Sequence, residues 1–288
     1  MMEDQGNINK SLAFVLGGGG ARGAMQVGAL RALFEAGYKP ELLVGTSIGA
    51  VNAAGLALWG VNLDGVIALE RAYQELAEGH LMDSNLGRLA LRALSGRPNH
   101  HASQRVADLA ISMGITPDLR FDQAPHARLA MIGTDLEAGK TVIYGQDLSQ
   151  SVLEGLLASS AIPPWFAPVE KDDQFIIDGG ILSNLPIEPA LTLGATEMIA
   201  LDLMNDPASL HENVIGATRQ LEKLVFAVLQ RQVCVETALA RAHGVPVRYM
   251  RLRSSPPIPI WDFSAYKDLI EIGYEIASRE IPDWDKTG

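Results

Sequence analysis

The sequence predicts a three-layer α/β/α fold with a mostly parallel central sheet and a helical cap insertion. Short apolar runs alternate with segments of helical periodicity through the first 205 residues, a pattern typical of a wound, mostly parallel sheet. Two of these apolar runs end in glycine-rich turns that lead directly into helices. Several helical segments between residues 61 and 126 interrupt the alternation, and they predict the cap.

Composition limits the architecture and the partners. Hydrophobic residues make up 48% of the 288 residues and charged residues 20%, which supplies a core and argues against disorder. We expect one α/β domain over residues 1–288, with its motifs in 14–205 and a mostly helical part over 206–288. A net charge of −11 argues against nucleic acid as a partner, because such binding relies on basic contacts to phosphate. A single cysteine, Cys234, excludes an internal disulfide and suits a reducing compartment.

The sequence shows no targeting or membrane-spanning signal. Residues 1–10 are polar and acidic, unlike a signal peptide. No apolar run reaches the roughly 18 residues that a transmembrane helix needs. The longest apolar stretch, Ile48–Trp59, predicts a buried helix instead. We therefore expect a cytoplasmic protein, and we leave open a peripheral contact with the inner face of the membrane. The oligomeric state is not indicated.

The first predicted strand, Phe14–Leu16, leads into a glycine loop and a helix. Backbone N–H groups of such a loop at a helix N-terminus can converge on an oxygen that becomes negative in a transition state. Gly18–Gly23 also fits the dinucleotide-binding fingerprint, which requires an acidic residue at the end of the next strand. Gly45-Thr46-Ser47 occupies that position, and Ala24 stands where a P-loop has lysine. Neither nucleotide motif is expected.

The second predicted strand, Leu42–Val44, ends in the G-x-S-x-G motif Gly45-Thr46-Ser47-Ile48-Gly49. This pattern is typical of a nucleophile elbow, in which the serine stands exposed on a sharp strand-to-helix turn. Bulky side chains at Gly45 or Gly49 would collide with neighbouring backbone. The motif also occurs by chance, so it does not establish catalysis by itself.

Three helices are predicted between the elbow and the next strand, over residues 61–79, 85–94 and 103–113. They form either a cap over the sheet edge near the site or part of the core. The segment from His80 to Arg105 carries one acidic residue, Asp83, against four arginines at positions 88, 92, 97 and 105. Leucines at positions 86, 89, 91 and 94 are interleaved with them. Such a helix either lies on a lipid surface or packs its leucines against the domain.

The remaining elements continue the alternation of strands and helices. We predict strands at 129–134, 140–144, 175–177, 197–203 and 247–253, and helices at 151–159, 187–193 and 266–281. Residues 211–243 predict one long helix, or two helices that break near Cys234. In a parallel sheet, sites form at the carboxyl ends of the strands. That rule brings Gly17, Ser47 and Asp178 to the same edge.

Four motifs in a fixed order suggest a family. They are Gly18-Gly19-Gly20-Ala21-Arg22-Gly23, Gly45-Thr46-Ser47-Ile48-Gly49, Ala158-Ser159-Ser160-Ala161-Ile162-Pro163 and Asp178-Gly179-Gly180. Together they resemble the patatin-like phospholipase family, in its bacterial type of serine acyl hydrolase, over roughly the first 205 residues.

The resemblance implies a patatin-like fold and a Ser–Asp dyad, with Ser47 as the nucleophile and Asp178 as the base. It also implies an oxyanion hole built from Gly18, Gly19, Gly20 and Arg22, with the Gly19 and Gly20 amides as donors. Arg22 would steady that loop or meet a lipid phosphate. The substrate would be a lipid or another ester, and the dyad needs neither a metal nor a cofactor.

The residue types agree with a carboxylate base. A serine hydroxyl is a weak nucleophile that needs a proton acceptor, and none of the six histidines falls in a recognisable motif. A carboxylate suits this role when a partly dry site raises its pKa. Two alternatives share the fold: an acyltransferase that uses the same dyad, and a non-catalytic lipid-binding regulatory protein.

Overall fold

An eight-stranded sheet lies between two layers of helices in the computed structural model. The structure describes residues 11–79, 82, 85, 98–171, 174–204 and 217–284. The strands are β1 (Leu12–Leu16), β2 (Leu42–Thr46), β3 (Arg128–Asp135), β4 (Lys140–Tyr144), β5 (Val169–Lys171), β6 (Gln174–Asp178), β7 (Glu197–Asp202) and β8 (Val247–Arg251). The α-helices are α1 (Ala24–Glu35), α2 (Ile48–Trp59), α3 (Leu63–Glu78), α4 (His100–Ser112), α5 (Val152–Ser159), α6 (Ile187–Thr192), α7 (Ala217–Ala242) and α8 (Tyr266–Trp284). This is the three-layer α/β/α fold that the sequence predicts.

The sheet is mixed, with strand order β5-β6-β3-β2-β1-β7-β8 and β4 paired with β3. The five strands β3, β2, β1, β7 and β8 are parallel, whereas β4, β5 and β6 run antiparallel to their partners. The rule for parallel strands therefore does not explain the position of Asp178, because β6 is antiparallel to β3.

The register of β3 explains how Asp178 still reaches the site. β4 pairs with residues 131–135 of β3 and takes one of its edges. The other edge pairs first with β2, up to Thr46 opposite Ile132, and then with β6, starting at Asp178 opposite Gly133. Because Ile132 and Gly133 are consecutive, the carboxyl ends of β2 and β6 meet head to head.

The alternation of side chains along β1 separates two cores. Phe14 and Leu16 face the larger core, which contains α1, α2, α3, α5 and α8. Ala13 and Val15 face the smaller core, which contains α6 and α7. α8 packs closely on α1: a Cβ at Gly273 would lie 1.9 Å from the carbonyl oxygen of Met25. The final helix is thus part of the core.

The expected cap is described only in part. α3 buries Val66, Leu69 and Tyr73 in the larger core and packs on α1 and α2, so these apolar positions are core positions. α4 packs against α5. The leucine- and arginine-bearing stretch 86–97, with the expected helix over 85–94, lies almost wholly outside the described residues. The domain division stays a prediction.

The long C-terminal helix is continuous over its described length. α7 passes through Cys234 without a break, and the Cys234 side chain is exposed. Within the described part of the chain, no helix combines the length and apolarity needed to cross a membrane.

Candidate active site

Ser47 lies at the turn between β2 and α2 with φ 56° and ψ −124°. It is the one non-glycine residue with positive φ among those that the structure describes, and such strain is concentrated at functional turns. A Cβ at Gly45 would lie 2.2 Å from the Gly49 carbonyl oxygen, and one at Gly49 would lie 2.1 Å from the Leu16 carbonyl oxygen. The expected collision with backbone is therefore present at both glycines.

The backbone amide of Ser47 is already occupied. It donates a 2.9 Å hydrogen bond to Oγ of Ser159, a fully buried residue on α5. Ser159 belongs to the Ala158–Pro163 motif, to which the sequence assigned no specific role. This contact orients the elbow, and the Ser47 amide is therefore not available to a substrate oxygen.

The glycine loop offers two amides rather than three. The Gly18 amide donates to the Asn184 carbonyl oxygen at 3.0 Å, so it is not available as a donor to a substrate oxygen. The Gly19 and Gly20 amides donate no hydrogen bond to any described residue. Gly20 has φ 57°, and a Cβ there would lie 2.2 Å from the Ile260 carbonyl oxygen. Gly19 and Gly20 remain the predicted donors.

Arg22 contacts the loop directly. Its Nε donates to the Gly19 carbonyl oxygen at 3.2 Å. Burial lowers the pKa of Arg22 to about 10, and the carboxylate of Asp202 raises it in part, so the guanidinium is charged at neutral pH. These contacts favour the loop-steadying role over contact with a lipid phosphate.

Asp178 ends β6 and is 6% exposed. Oδ1 accepts a 2.7 Å hydrogen bond from the Gly180 amide. Oδ2 is buried and makes no hydrogen bond of normal geometry with a described residue. Burial raises the pKa of Asp178 from 3.8 to about 6, and the Ser47 hydroxyl and the Gly180 amide lower it in part. The carboxyl group therefore faces the serine with one oxygen held and the other available.

Gly179 allows β6 to end this close to β3. A Cβ at Gly179 would lie 2.3 Å from the Ile132 carbonyl oxygen, and Ile132 is the residue that pairs with Thr46. The Asp-Gly-Gly motif thus has two separate tasks. Gly179 permits the approach, and Gly180 orients the carboxyl group.

Buried amide side chains support the glycine loop from below, and the sequence analysis missed them. Nε2 of Gln26 donates to the carbonyl oxygens of Gly17 and Leu201 at 2.9 and 3.1 Å. Nδ2 of Asn52 donates to Oε1 of Gln26 at 2.9 Å. The available signal was a polar residue inside each of two apolar helices, since buried polar groups need partners.

A second missed group connects the two halves of the site. Oγ1 of Thr46 donates to the Ser183 carbonyl oxygen at 2.9 Å, and Nδ2 of Asn184 reaches the Gly18 carbonyl oxygen at 3.4 Å. Ser183 and Asn184 are both buried. They follow Asp178 closely in the chain and therefore connect Asp178 to the elbow and to the glycine loop.

In the described part of the chain, neither a histidine nor a cluster of metal-ligating side chains forms part of this site. The four described histidines, at positions 100, 101, 126 and 243, are exposed, whereas His80 and His211 lie outside the described residues. In the described ranges, no group of three or more His, Cys, Asp or Glu residues could hold a metal ion. Within those ranges, Asp178 is the carboxyl group that lies beside the Ser47 hydroxyl.

Comparison with known proteins gives consistent matches. The model of the patatin-like phospholipase family matches residues 14–191. Patatin-like phospholipase domain-containing protein 7 of Rattus norvegicus is 27% identical over 303 residues, which cover 96% of this chain and 21% of that protein. An uncharacterized NTE family protein of Mycobacterium tuberculosis is 32% identical over 237 residues, which cover 82% of this chain and 59% of that protein. Lysophospholipase NTE1 of Phaeosphaeria nodorum is 26% identical, over 92% of this chain and 18% of that protein. The chain thus spans less than two thirds of each relative.

Proposed function

The chain belongs to the patatin-like phospholipase family, and on that premise we propose that it is a lipid acyl hydrolase using a Ser47–Asp178 dyad. One observation carries the proposal: the strained elbow of Ser47 meets a buried carboxyl group with a pKa of about 6. Burying an ionised carboxyl group is costly, so an aspartate that is ionised in the core favours a catalytic role over a packing role. At neutral pH this one is mostly ionised and adjacent to a serine.

The proposed reaction begins with attack by Oγ of Ser47 on the carbonyl carbon of an ester. The serine proton moves to Oδ2 of Asp178, the oxygen that meets no described hydrogen-bond partner. The carbonyl oxygen becomes negative and is bound by the amides of Gly19 and Gly20. Each donor of this kind is worth about 100- to 1,000-fold in rate.

Collapse of this intermediate breaks the bond to the alcohol oxygen. Asp178 returns its proton to that oxygen, the alcohol leaves, and an acyl–Ser47 ester remains. A water molecule then attacks the acyl carbon, and Asp178 accepts its proton. The second collapse releases the carboxylic acid and restores the Ser47 hydroxyl.

The dyad operates without a histidine because burial supplies the basicity. A general base works best when its pKa lies near the working pH, and a solvated aspartate lies about three units below neutrality. The pKa of about 6 for Asp178 removes most of that deficit. Gly180 holds the carboxyl group in place while the proton moves.

The proposed substrates are lipids with acyl ester bonds. Three relatives carry the terms phospholipase, NTE family or lysophospholipase in their names, and the family model names a phospholipase. An acyltransferase remains the second candidate, because an alcohol acceptor could replace water in the last step on the same residues. Added alcohol acceptor separates the two, since an acyltransferase would form a new ester at the expense of free acid.

The test combines a serine-reactive fluorophosphonate probe with hydrolysis of a soluble p-nitrophenyl ester. Wild type should label and hydrolyse, and Ser47→Ala should do neither while keeping its circular dichroism spectrum. Ser112→Ala removes an exposed serine on α4 and serves as the matched control with full activity. Labelling that persists in Ser47→Ala would refute the proposed nucleophile. A panel of phospholipids, lysophospholipids and acylglycerols then identifies the substrate.

A further inference from the structure

A buried carboxylate on α7, Glu236, lies outside the residues that match the family model. It is 5% exposed. Oε1 accepts a 2.8 Å hydrogen bond from Oγ of Ser183, and Oε2 accepts a 2.9 Å hydrogen bond from the Glu188 amide. Both oxygens therefore hold the chain between Asp178 and α6. A buried carboxylate is tolerated when its oxygens are satisfied in this way.

Glu236 holds residues 179–186, which we call the connecting segment. It contacts Asp178, the elbow and the glycine loop. The Gly180 amide holds Asp178, the Ser183 carbonyl oxygen accepts from Thr46 beside the nucleophile, and Asn184 pairs with Gly18. A shift of the connecting segment would therefore move the base, the elbow and the glycine loop together.

α7 also binds the connecting segment through Gln232. Gln232 lies four residues before Glu236 and so on the same helix face. Its Nε2 donates to the Ile181 carbonyl oxygen, and its Oε1 accepts from the Asn184 amide at 3.5 Å. By contrast, Leu182 and Ser183 donate their own amides only within the segment, to the Gly179 carbonyl oxygen. The side chains of α7 thus add to the support that Thr46 and Gly18 give the segment.

We propose that Glu236 is a positioning residue of the proposed dyad, which it serves by holding Ser183 and the start of α6. This inference rests on the proposed function. Replacing Glu236 with alanine would remove the acceptor of the Ser183 hydroxyl and of the Glu188 amide. The connecting segment would then relax, and small misplacements of reacting groups can lower a rate about 100-fold.

Protonation of Glu236 should change kcat with pH. A residue that served only to pack the fold would not cause this pH dependence. The pKa of Glu236 is raised from 4.5 to about 7, chiefly by burial; the bonds from the Glu188 amide and Ser183 oppose this rise, and the Glu188 carboxylate adds to it. Glu188 of α6 and Arg231 of α7 are the titratable side chains that line the groove beside it. Protonation removes an acceptor from one oxygen. The kcat of wild type should therefore fall in two steps as pH falls, near 7 and near 6.

The experiment measures kcat and KM on the soluble p-nitrophenyl ester. Glu236→Ala and Ser183→Ala should each lower kcat about 10- to 100-fold and change KM less than about twofold, because neither touches the substrate. The double variant should lose no more kcat than Glu236→Ala alone, because the contact that Ser183→Ala removes is already absent in Glu236→Ala. Glu236→Gln keeps an acceptor for the Glu188 amide and can donate to Ser183. It should retain most of the kcat at pH 8 and lose the step near pH 7.

Val233→Ala is the matched control, since it truncates a buried side chain of α7 in the smaller core and removes no hydrogen bond to the connecting segment. It should keep the wild-type kcat and pH profile. Wild-type kcat in Glu236→Ala, additive losses in the double variant, or a step near pH 7 that persists in Glu236→Gln would each overturn the inference. If Glu236→Ala does not fold, Ser183→Ala and Glu236→Gln decide the question.

The two proposals fail in different ways. If wild type hydrolyses the ester and Ser47→Ala does not, the dyad stands, and an unchanged kcat in Glu236→Ala removes only the positioning role. If Ser47→Ala hydrolyses the ester as well as wild type does, the dyad fails and takes the positioning role with it.

Discussion

Asp178→Asn should make the protein inactive and, above pH 6, more stable. The amide keeps the shape of the carboxyl group, and its Oδ1 can still accept the bond from Gly180. It cannot accept the serine proton. A general base contributes about 100- to 10,000-fold in rate, and we expect ester hydrolysis to fall within that range.

The gain in stability follows from the pKa of the wild-type carboxyl group. A rise from 3.8 to about 6, with each pKa unit worth about 1.4 kcal/mol, disfavours the ionised native state by about 3 kcal/mol. The sign is that of a raised pKa: stability from this group is complete below pH 3.8 and is lost as pH rises through about 6. Asparagine never ionises. The difference in unfolding free energy should therefore be near zero below pH 4 and largest above pH 6, with about 3 kcal/mol as its upper bound.

Urea denaturation at pH 4 and pH 8 measures this difference directly. A gain of that size should also raise the Tm at pH 8 by several degrees, since about 1 kcal/mol corresponds to 2–4 °C in chains of this size class. Asp147→Asn is the matched control. Asp147 is exposed, and its hydrogen bonds with Ser149 lower its pKa, so its replacement should not stabilise the protein at pH 8.

Two results would refute the reasoning. If Asp178→Asn is no more stable than wild type at pH 8, the carboxyl group is not held in a dry site. If wild-type hydrolysis is equally fast at pH 5 and pH 8, the group that titrates near 6 is not the base. Residual activity above about 10% in Asp178→Asn would also require another proton acceptor.

Three further predictions concern the elbow, metal dependence and the membrane. Gly49→Ala should destabilise the fold by about 3 kcal/mol in urea denaturation, whereas Gly139→Ala, in open space, should cost about 1 kcal/mol for its positive φ. EDTA should leave hydrolysis unchanged; a loss that calcium restores would indicate a metal site. Arg88→Glu with Arg92→Glu should weaken binding to anionic vesicles, at about 1 kcal/mol per cation, and spare the soluble ester. Equal vesicle binding would make that stretch an ordinary structural cap.

Elements with clear ends could be predicted from the sequence. The apolar run Ile48–Trp59 was expected as a buried helix, and α2 has the same bounds. The strand at 140–144 likewise coincides with β4. In both cases an apolar run stops at glycine or at polar residues, and local preference agrees with burial. The start of α2 could therefore be placed to the residue, whereas β2 continues two residues beyond its predicted end at Val44, to Thr46.

Strand direction could not be predicted in the same way. Side-chain alternation is identical in parallel and antiparallel strands, so Phe175–Ile177 identifies a buried strand without its orientation. The register of β3 decides it, because Gly133 pairs with Asp178 next to the pair of Ile132 with Thr46. Long-range partners share this difficulty. Ser183 and Glu236 are 53 residues apart, and each signals only that a polar group is present.

The connecting segment links two buried carboxyl groups. Their ionised form is the one that the proposed reaction needs and the one that lowers the stability of the fold. Asp178, which directly precedes the segment, and Glu236, which binds Ser183 within it, both have a raised pKa, near 6 and near 7. Ionisation of either group destabilises the fold, yet the proposed reaction uses both as carboxylates. As pH rises from 5 to 8, the contribution of this pair to stability falls while kcat rises. Acid should therefore inactivate the enzyme reversibly, by protonating a native site, before any loss of its near-ultraviolet circular dichroism.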